Sequence, residues 1–290
     1  MSGGAGGLHA LDDAHRYCAA LARTNARDQW LGSLYAPPGA RNGLLALAGF
    51  DHEIRQAAAR ARDPDLAAIR LAWWRGVVRG ERNEEAAGSP VALALLSAID
   101  AFALPRSLAE TMLDARLREL ARQDNVSLAA FESFAEASEG ARLRVASRIV
   151  GAGRDLDVAN AASPAALALA VTRMLGALPL KAGEAPTLFP VDLAGRHGAS
   201  LDDIDALRAT PSVIATCDEL IALGRERLEV AEQRLKASPR AILPAFVPLG
   251  TVRLDLARFK RNATLSSNPA AGEASPLRRQ WSIWRWTRKF

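Results

Sequence analysis

Cysteine and tyrosine are both scarce in this sequence. Its 290 residues include two cysteines, Cys18 and Cys217, with no CxxC pair and no cysteine–histidine cluster around either. Such spacing indicates neither a disulfide framework nor a zinc site, and it fits a reducing compartment. β-Branched residues are sparse too, whereas alanine, leucine and arginine dominate, and unbranched side chains lose little rotamer freedom in a helix. The composition therefore predicts an all-α protein.

Long apolar runs and targeting signals are also missing. No stretch approaches the ~18 uninterrupted apolar residues that a membrane-spanning helix requires. The opening MSGGAGGLHALDD has neither the basic and apolar regions of a signal peptide nor the arginine-rich character of a transit peptide. The four histidines fall in no metal-ligand spacing, and no GxSxG-type nucleophile motif occurs. We expect a cytoplasmic protein that can lie peripherally on the inner membrane.

The excess positive charge is confined to the C-terminal end. The chain has 37 Lys and Arg against 32 Asp and Glu, a net charge of +5, and residues 277–290 contain five cations and no acid. The rest of the chain is balanced, so the basic charge gives no reason to expect nucleic-acid binding.

Three of the six tryptophans lie in the same basic segment. Tryptophan and arginine together suit a membrane interface or a partner groove. On a helical plot Trp281 and Trp284 share one face, whereas Ile283, Trp286 and Phe290 lie opposite. Two alternatives stay open: the tail folds back as a last helix of the bundle, or it docks on a membrane or a partner. The candidate docking residues are Arg278, Arg279, Trp281, Trp284, Arg285, Trp286 and Arg288.

Capping residues followed directly by proline mark the starts of many helices. Proline suits the first helical turn, where a preceding Ser, Thr or Asp side chain can accept a hydrogen bond from a free N–H. Six such pairs occur: Asp63-Pro64, Ser89-Pro90, Ser163-Pro164, Thr210-Pro211, Ser238-Pro239 and Ser275-Pro276. With the segment lengths between starts, they predict helices near 10–25, 28–34, 40–60, 64–80, 90–102, 107–123, 127–150, 164–178, 200–208, 211–237 and 240–259.

Four parts of the chain follow from this pattern. We expect a disordered N-terminus over 1–9, one helical domain over 10–260, a Ser/Asn/Ala/Gly-rich linker over 261–276 and a basic aromatic tail over 277–290.

Several segments, in order, resemble those of squalene/phytoene synthases. They are RDQWLGSLYAPPGARNGLLALAGF from Arg27 to Phe50, the Trp-Trp-Arg stretch at 73–75, FAEASEGARLRVASRIVGAG from Phe134, and TLFPVDLAGRHG from Thr187 to Gly198. The resemblance covers about 11–259. It implies a single helical bundle of the isoprenoid-synthase type around a deep central cavity.

Three shorter features resemble one subgroup, the mitochondrial complex I assembly factors that contain a phytoene-synthase-like domain. They are Arg27-Asp28 before the double-proline loop, FDHEI at 50–54, and the Trp/Arg-rich ending at 276–290. This resemblance implies that the partners are subunits or assembly intermediates of respiratory complex I.

Active family members are understood to ionise prenyl diphosphates with Mg²⁺ held by two aspartate-rich motifs on facing helices. Mg²⁺ needs oxygen ligands, and carboxylates at i and i+4 of one helix face can hold it jointly. At the first motif Asp51 shares a stripe with Leu44 and Leu47 and is expected to point inward, but its i+4 partner is Arg55. We interpret Asp51 and Arg55 as an ion pair.

The second motif has no acid at all. The corresponding helix, AALALAVTRMLGALP from Ala165, carries Thr172 and Arg173 as its only polar side chains, and no acid occurs between Val158 and Gly183. An alternative to the simple ion pair is that Arg55 and Arg173 face an anionic headgroup across the former cavity. Either interpretation predicts no metal site and no catalytic residue.

The missing carboxylates favour a non-catalytic protein that assists assembly of respiratory complex I, NADH:ubiquinone oxidoreductase, without a cofactor. The alternative is an active prenyltransferase that condenses prenyl diphosphates and uses Mg²⁺. A third possibility is a carrier that binds an isoprenoid lipid in the inherited cavity.

Overall fold

Every regular element in the described parts of the chain is helical, which confirms the all-α prediction. The structure, a computed structural model, describes residues 3–59, 64–121, 126–178, 188–206, 208–261 and 274–290. A π-helical turn (Glu136–Gly140) joins two of the helices, and a 3₁₀ turn (Arg240–Ile242) precedes another. The α-helices are α1 (Gly3–Asn25), α2 (Arg27–Ser33), α3 (Pro38–Ala59), α4 (Pro64–Arg79), α5 (Asn83–Ala86), α6 (Pro90–Ala101), α7 (Arg106–Leu120), α8 (Leu128–Ala135), α9 (Ala141–Val150), α10 (Ala159–Ala177), α11 (Val191–Arg196), α12 (Leu201–Asp205), α13 (Pro211–Lys236), α14 (Leu243–Phe246), α15 (Leu249–Arg261) and α16 (Pro276–Thr287).

Most predicted helix starts coincide with observed ones. The side chains of Ser89, Thr210 and Ser275 each accept a hydrogen bond from the backbone N–H three residues later, as N-caps do. Ser163-Pro164 is an exception, because α10 already begins at Ala159 and Pro164 lies inside the helix. The alanine-rich residues upstream extend the helix, and the loss of one backbone hydrogen bond at the proline does not stop it.

Other predicted helices also differ from the observed ones, and the helix predicted over 240–259 is divided into the 3₁₀ turn, α14 and α15. Helix α1 begins at Gly3, so the segment expected to be disordered over 1–9 is helical from Gly3 onward. A helix that has nucleated in 10–25 can extend toward its N-terminus because each added residue forms another backbone bond. The predicted helix over 127–150 is interrupted by the π-helical turn.

By their contacts, the residues divide into two compact units. Unit 1 comprises 1–120, 141–158 and 239–248, and unit 2 comprises 121–140, 159–238 and 249–290. The tail predicted over 277–290 therefore belongs to unit 2. The linker predicted over 261–276 falls mostly outside the described residues and stays a prediction.

Helix α3 is the centre of unit 1. It packs against α1, α2, α4, α6, α7 and α9, and its Phe50 and Ile54 are fully buried. Trp74 of α4 meets Phe50 edge to face, with ring centroids 5.3 Å apart. Gly43 permits the close packing, since a Cβ there would lie 2.7 Å from Cε2 of Phe102. This packing fixes the rotation of α3 that turns Asp51 inward.

Helix α10 occupies the corresponding place in unit 2. It packs against α13, α15 and the π-helical turn, and α15 in turn packs against α16. Its buried face consists largely of alanines, whose short side chains let neighbouring helices approach closely. Neither α10 nor any other helix in the described ranges is both long and apolar enough to cross a membrane.

Candidate functional site

The first motif position holds a buried ion pair on α3. Asp51 is 4% exposed, and the Nε of Arg55 donates to its Oδ1 at 2.8 Å. Gln29 of α2 donates from Nε2 to the other carboxylate oxygen at 3.3 Å. Both oxygens of Asp51 are therefore engaged by protein donors, which leaves it poorly suited to bind a metal ion.

The second motif position holds another ion pair, within unit 2. Nη1 of Arg173 on α10 lies 2.6 Å from Oε1 of Glu139, whose side chain is 1% exposed. Glu139 comes from the π-helical turn, a distortion that is common at functional sites. The carboxylate neutralises the cation that was considered as a headgroup ligand. Arg55 is similarly neutralised by Asp51 in its own unit.

These residues do not fit the Mg²⁺ cluster that the resemblance to active synthases implies. Helix α10 contains no acid, and Asp51 has an arginine at i+4. A cation beside each carboxylate repels a divalent ion and competes for the same oxygens. Within the described ranges no group of three His, Cys, Asp or Glu side chains could hold a metal ion.

A cleft in unit 1 lies beside the first pair. It encloses about 310 Å³, part of it open to solvent, and its polar lining residues are Gln29 and Arg142. The guanidinium-bearing Arg142 is 3% exposed, and Oε1 of Gln29 has no hydrogen-bond partner among the described residues. The remaining lining residues are apolar: Leu44, Leu47, Ala48, Ala146, Pro244, Ala245 and Pro248. A lining without carboxylate, thiol or imidazole offers no acid, base or nucleophile.

The two cysteines are free thiols in different units. Burial, with a smaller contribution from Glu53, raises the pKa of Cys18 to about 11. Burial, with a smaller contribution from Asp218, likewise raises the pKa of Cys217 to about 11. Both thiols are therefore protonated near neutral pH and are poor nucleophiles.

Helix α16 folds back onto unit 2 through its inner face. Ile283 and Trp286 are buried there, and Nε1 of Trp286 donates to Oε1 of Glu232 at 3.0 Å. Glu232 also accepts from Arg253 at 3.0 Å and from Lys289 at 3.1 Å. The nearly buried carboxylate of Glu232 thus connects the end of the chain to α13, which carries it, and to Arg253 of α15.

A second anchor lies near the start of α16. Arg279 donates two parallel hydrogen bonds to the carboxylate of Asp255, at 2.7 and 3.1 Å. Oγ of Ser282 donates to the backbone oxygen of Gly250 at 2.6 Å. Of the candidate docking residues, Arg279 and Trp286 therefore hold the helix in place, because their polar atoms are used inside unit 2.

The other candidate docking residues remain on the outside of α16. Arg278, Trp281, Trp284, Arg285 and Arg288 are all exposed. The structure thus separates the predicted set into an inner group that anchors the helix and an outer group that faces solvent.

Three carboxylates with central roles were missed by sequence reasoning. Glu139, Glu232 and Asp255 each bond a cation that lies far away in the chain. Local spacing cannot reveal such partners, whereas Arg55 and Asp51 are one helical turn apart. The one available signal was Arg173 itself, because a cation on an otherwise apolar helix needs a carboxylate nearby.

The family model for squalene/phytoene synthase matches residues 11–285. The chain therefore belongs to the squalene/phytoene synthase family. The resemblance of individual segments ended near Phe259. The family match continues beyond that residue and includes most of α16.

Among curated proteins, the chain is similar to NADH dehydrogenase (ubiquinone) complex I, assembly factor 6, of several animals. It is 24% identical to the Mus musculus protein over 84% of this chain and 73% of that protein. With the Homo sapiens protein it shares 25% identity over 82% and 71% of the two chains. The Drosophila melanogaster homolog is 22% identical over 92% and 82%.

Solved structures share the fold at lower identity. A dehydrosqualene synthase in complex with ligand superposes with a TM-score of 0.82, at 13% identity and 98% coverage of both chains. Squalene synthase HpnC from Alicyclobacillus acidocaldarius gives a TM-score of 0.73 at 19% identity, covering 87% of this chain and 95% of that one. These likenesses confirm the predicted isoprenoid-synthase fold.

Proposed function

We propose that this protein is a non-catalytic member of the squalene/phytoene synthase family that assists the assembly of respiratory complex I. The observation that carries the proposal is the similarity to complex I assembly factor 6 of mouse and human over more than four fifths of the chain. Its partners are complex I subunits or assembly intermediates, and it acts from the cytoplasm at the inner-membrane surface.

The two ion pairs support the non-catalytic part of the proposal. Family chemistry needs several carboxylates that converge on Mg²⁺ and a diphosphate. Here Asp51 is bonded to Arg55, and Glu139 is bonded to Arg173. Since a site argument outweighs a fold argument for function, the likeness to solved synthases does not by itself favour catalysis.

Deleting the gene tests the assembly role. The deletion strain should contain less assembled complex I on native gels and less NADH:ubiquinone oxidoreductase activity in its membranes. A plasmid copy of the gene should restore both. Normal levels of assembled, active complex I in the deletion strain would contradict the proposal.

A transferase assay tests the absence of catalysis separately. Purified protein is incubated with farnesyl or geranylgeranyl diphosphate and Mg²⁺, and released diphosphate is measured. We expect no Mg²⁺-dependent release above a sample without protein. Steady turnover would instead establish the alternative, an active prenyltransferase, and isoprenoid co-purifying without turnover would favour a carrier.

A further inference from the structure

The face of α16 opposite Trp286 is an exposed surface of tryptophan, arginine and leucine. We call it the outer face of α16, and it consists of Leu277, Trp281, Trp284, Arg285 and Arg288. At 100° per residue these positions fall on one side of the helix. The side chains of Leu277, Trp281 and Trp284 are 78%, 56% and 45% exposed. Three large apolar side chains on one face of a single helix form a patch, and an exposed apolar patch rimmed by polar residues indicates a contact with another body.

Each exposed indole carries a stacked arginine. Cζ of Arg285 lies 4.7 Å from the ring centroid of Trp281, and Cζ of Arg288 lies 4.8 Å from that of Trp284. No carboxylate of the described residues forms an ion pair with either arginine. The sequence from 274 to 290 also contains no acid. The outer face therefore presents positive charge directly beside apolar rings.

The inner face keeps this surface in place. The burial of Ile283 and Trp286, the contacts to Glu232 and the paired bonds from Arg279 to Asp255 fix α16 on unit 2. A partner therefore does not have to order the helix before it binds, which lowers the entropy cost of association.

We propose that the outer face of α16 binds the surface of an anionic phospholipid membrane. Indole rings settle at the boundary between headgroups and acyl chains, and arginines beside them meet lipid phosphates. A helix that enters a protein groove instead shows an apolar stripe at i, i+3, i+4 and i+7. The stripe that begins at Trp281 continues with Trp284 but then with Arg285 and Arg288, a mixture of rings and cations that matches the layered headgroup region. This proposal rests on the peripheral membrane location proposed above and assigns it to one surface of the protein, the outer face of α16.

Vesicle binding by the purified full chain tests this inference. The protein is sedimented with phosphatidylcholine vesicles, with and without phosphatidylglycerol, at low and high salt. We expect binding to the anionic vesicles that weakens with salt. Arg285→Gln with Arg288→Gln should lower partitioning roughly thirtyfold, from about 1 kcal/mol per cation at the membrane surface. Trp281→Ala with Trp284→Ala should lower it about tenfold or more at either salt concentration.

A matched control removes exposed apolar side chains elsewhere. Leu66→Ala with Ile69→Ala on α4 deletes side chains that are 55% and 64% exposed and should leave partitioning unchanged. Circular dichroism and thermal midpoints establish that every variant is folded. Absence of binding to anionic vesicles, or equal binding by wild type and both α16 variants, would overturn the proposal, as would binding to an acidic protein alone. Because the vesicles contain no complex I, a negative result with vesicles would leave the proposed assembly role intact. A negative result in the gene deletion would likewise leave the proposed membrane-binding surface intact.

Discussion

Arginine occurs in two contrasting settings in this protein. Arg55 and Arg173 lie on the two helices where the sequence resemblance places the family's aspartate-rich motifs, and each pairs with a buried carboxylate. Arg285 and Arg288 instead stack on exposed tryptophans of α16. The comparison teaches that an arginine neutralises a buried carboxylate in one setting, and is left for an outside partner where only an indole accompanies it. Four comparisons between variants test this division between interior and surface.

The largest contrast should come from two tryptophans of α16. Trp286→Ala removes a buried ring and its bond to Glu232, so we expect a loss of about 3 to 5 kcal/mol in the free energy of unfolding. Trp284→Ala, on the exposed side of the same helix, should change it by less than about 0.5 kcal/mol. Urea denaturation measures both, and similar losses would show that α16 is not packed by its inner face.

The second contrast concerns the ion pair of unit 2, in which Glu139 is buried and the Arg173 side chain is 39% exposed. Arg173→Met leaves the Glu139 carboxylate buried without its cation, which should cost about 3 kcal/mol of stability. The double variant with Glu139→Gln should recover much of the stability. A double variant no more stable than Arg173→Met would mean that the pair is not the source of the effect.

The Asp51 pair should show a smaller effect. Arg55→Met removes the charged donor to Asp51 while Gln29 remains, so we expect a loss of about 2 kcal/mol. As a surface control, Arg79→Met breaks the exposed pair with Glu110 and should cost less than about 1 kcal/mol. Equal losses in thermal or urea unfolding would argue that Asp51 is not desolvated.

The smallest effect tests how closely α15 and α16 pack. A Cβ on Gly250 would lie 3.0 Å from Cα of Ile283, so Gly250→Ala should destabilise by about 1 kcal/mol even though alanine favours helices. Gly39→Ala on α3 meets nothing within 4 Å and should be neutral or stabilising by up to about 1 kcal/mol. The midpoints of urea denaturation compare the two variants. A stabilising effect of Gly250→Ala would mean that α16 moves easily to make room for the added methyl group.

Local sequence features predicted the fold class and most helix starts because caps, prolines and alanine-rich composition act within a few residues. They also predicted the geometry at Asp51 and Arg55, since residues one turn apart share a helix face. Glu139 was out of reach, because its cation lies on another helix. The position of α16 was left open, since a helical plot shows two faces and not which one is buried.

The π-helical turn at Glu136–Gly140 sets the direction of the Glu139 side chain, so the shape of the backbone there affects the ion pair with Arg173. A π-helical turn holds one residue more than an α-helical turn, so taking one residue out of it would restore regular α-helical winding within the turn. The side chains of the turn would then point in new directions, and Glu139 is one of them. Single-residue deletions between Glu136 and Gly140 should therefore weaken the ion pair of Glu139 with Arg173 more than substitutions at Glu136 or Ala137 do.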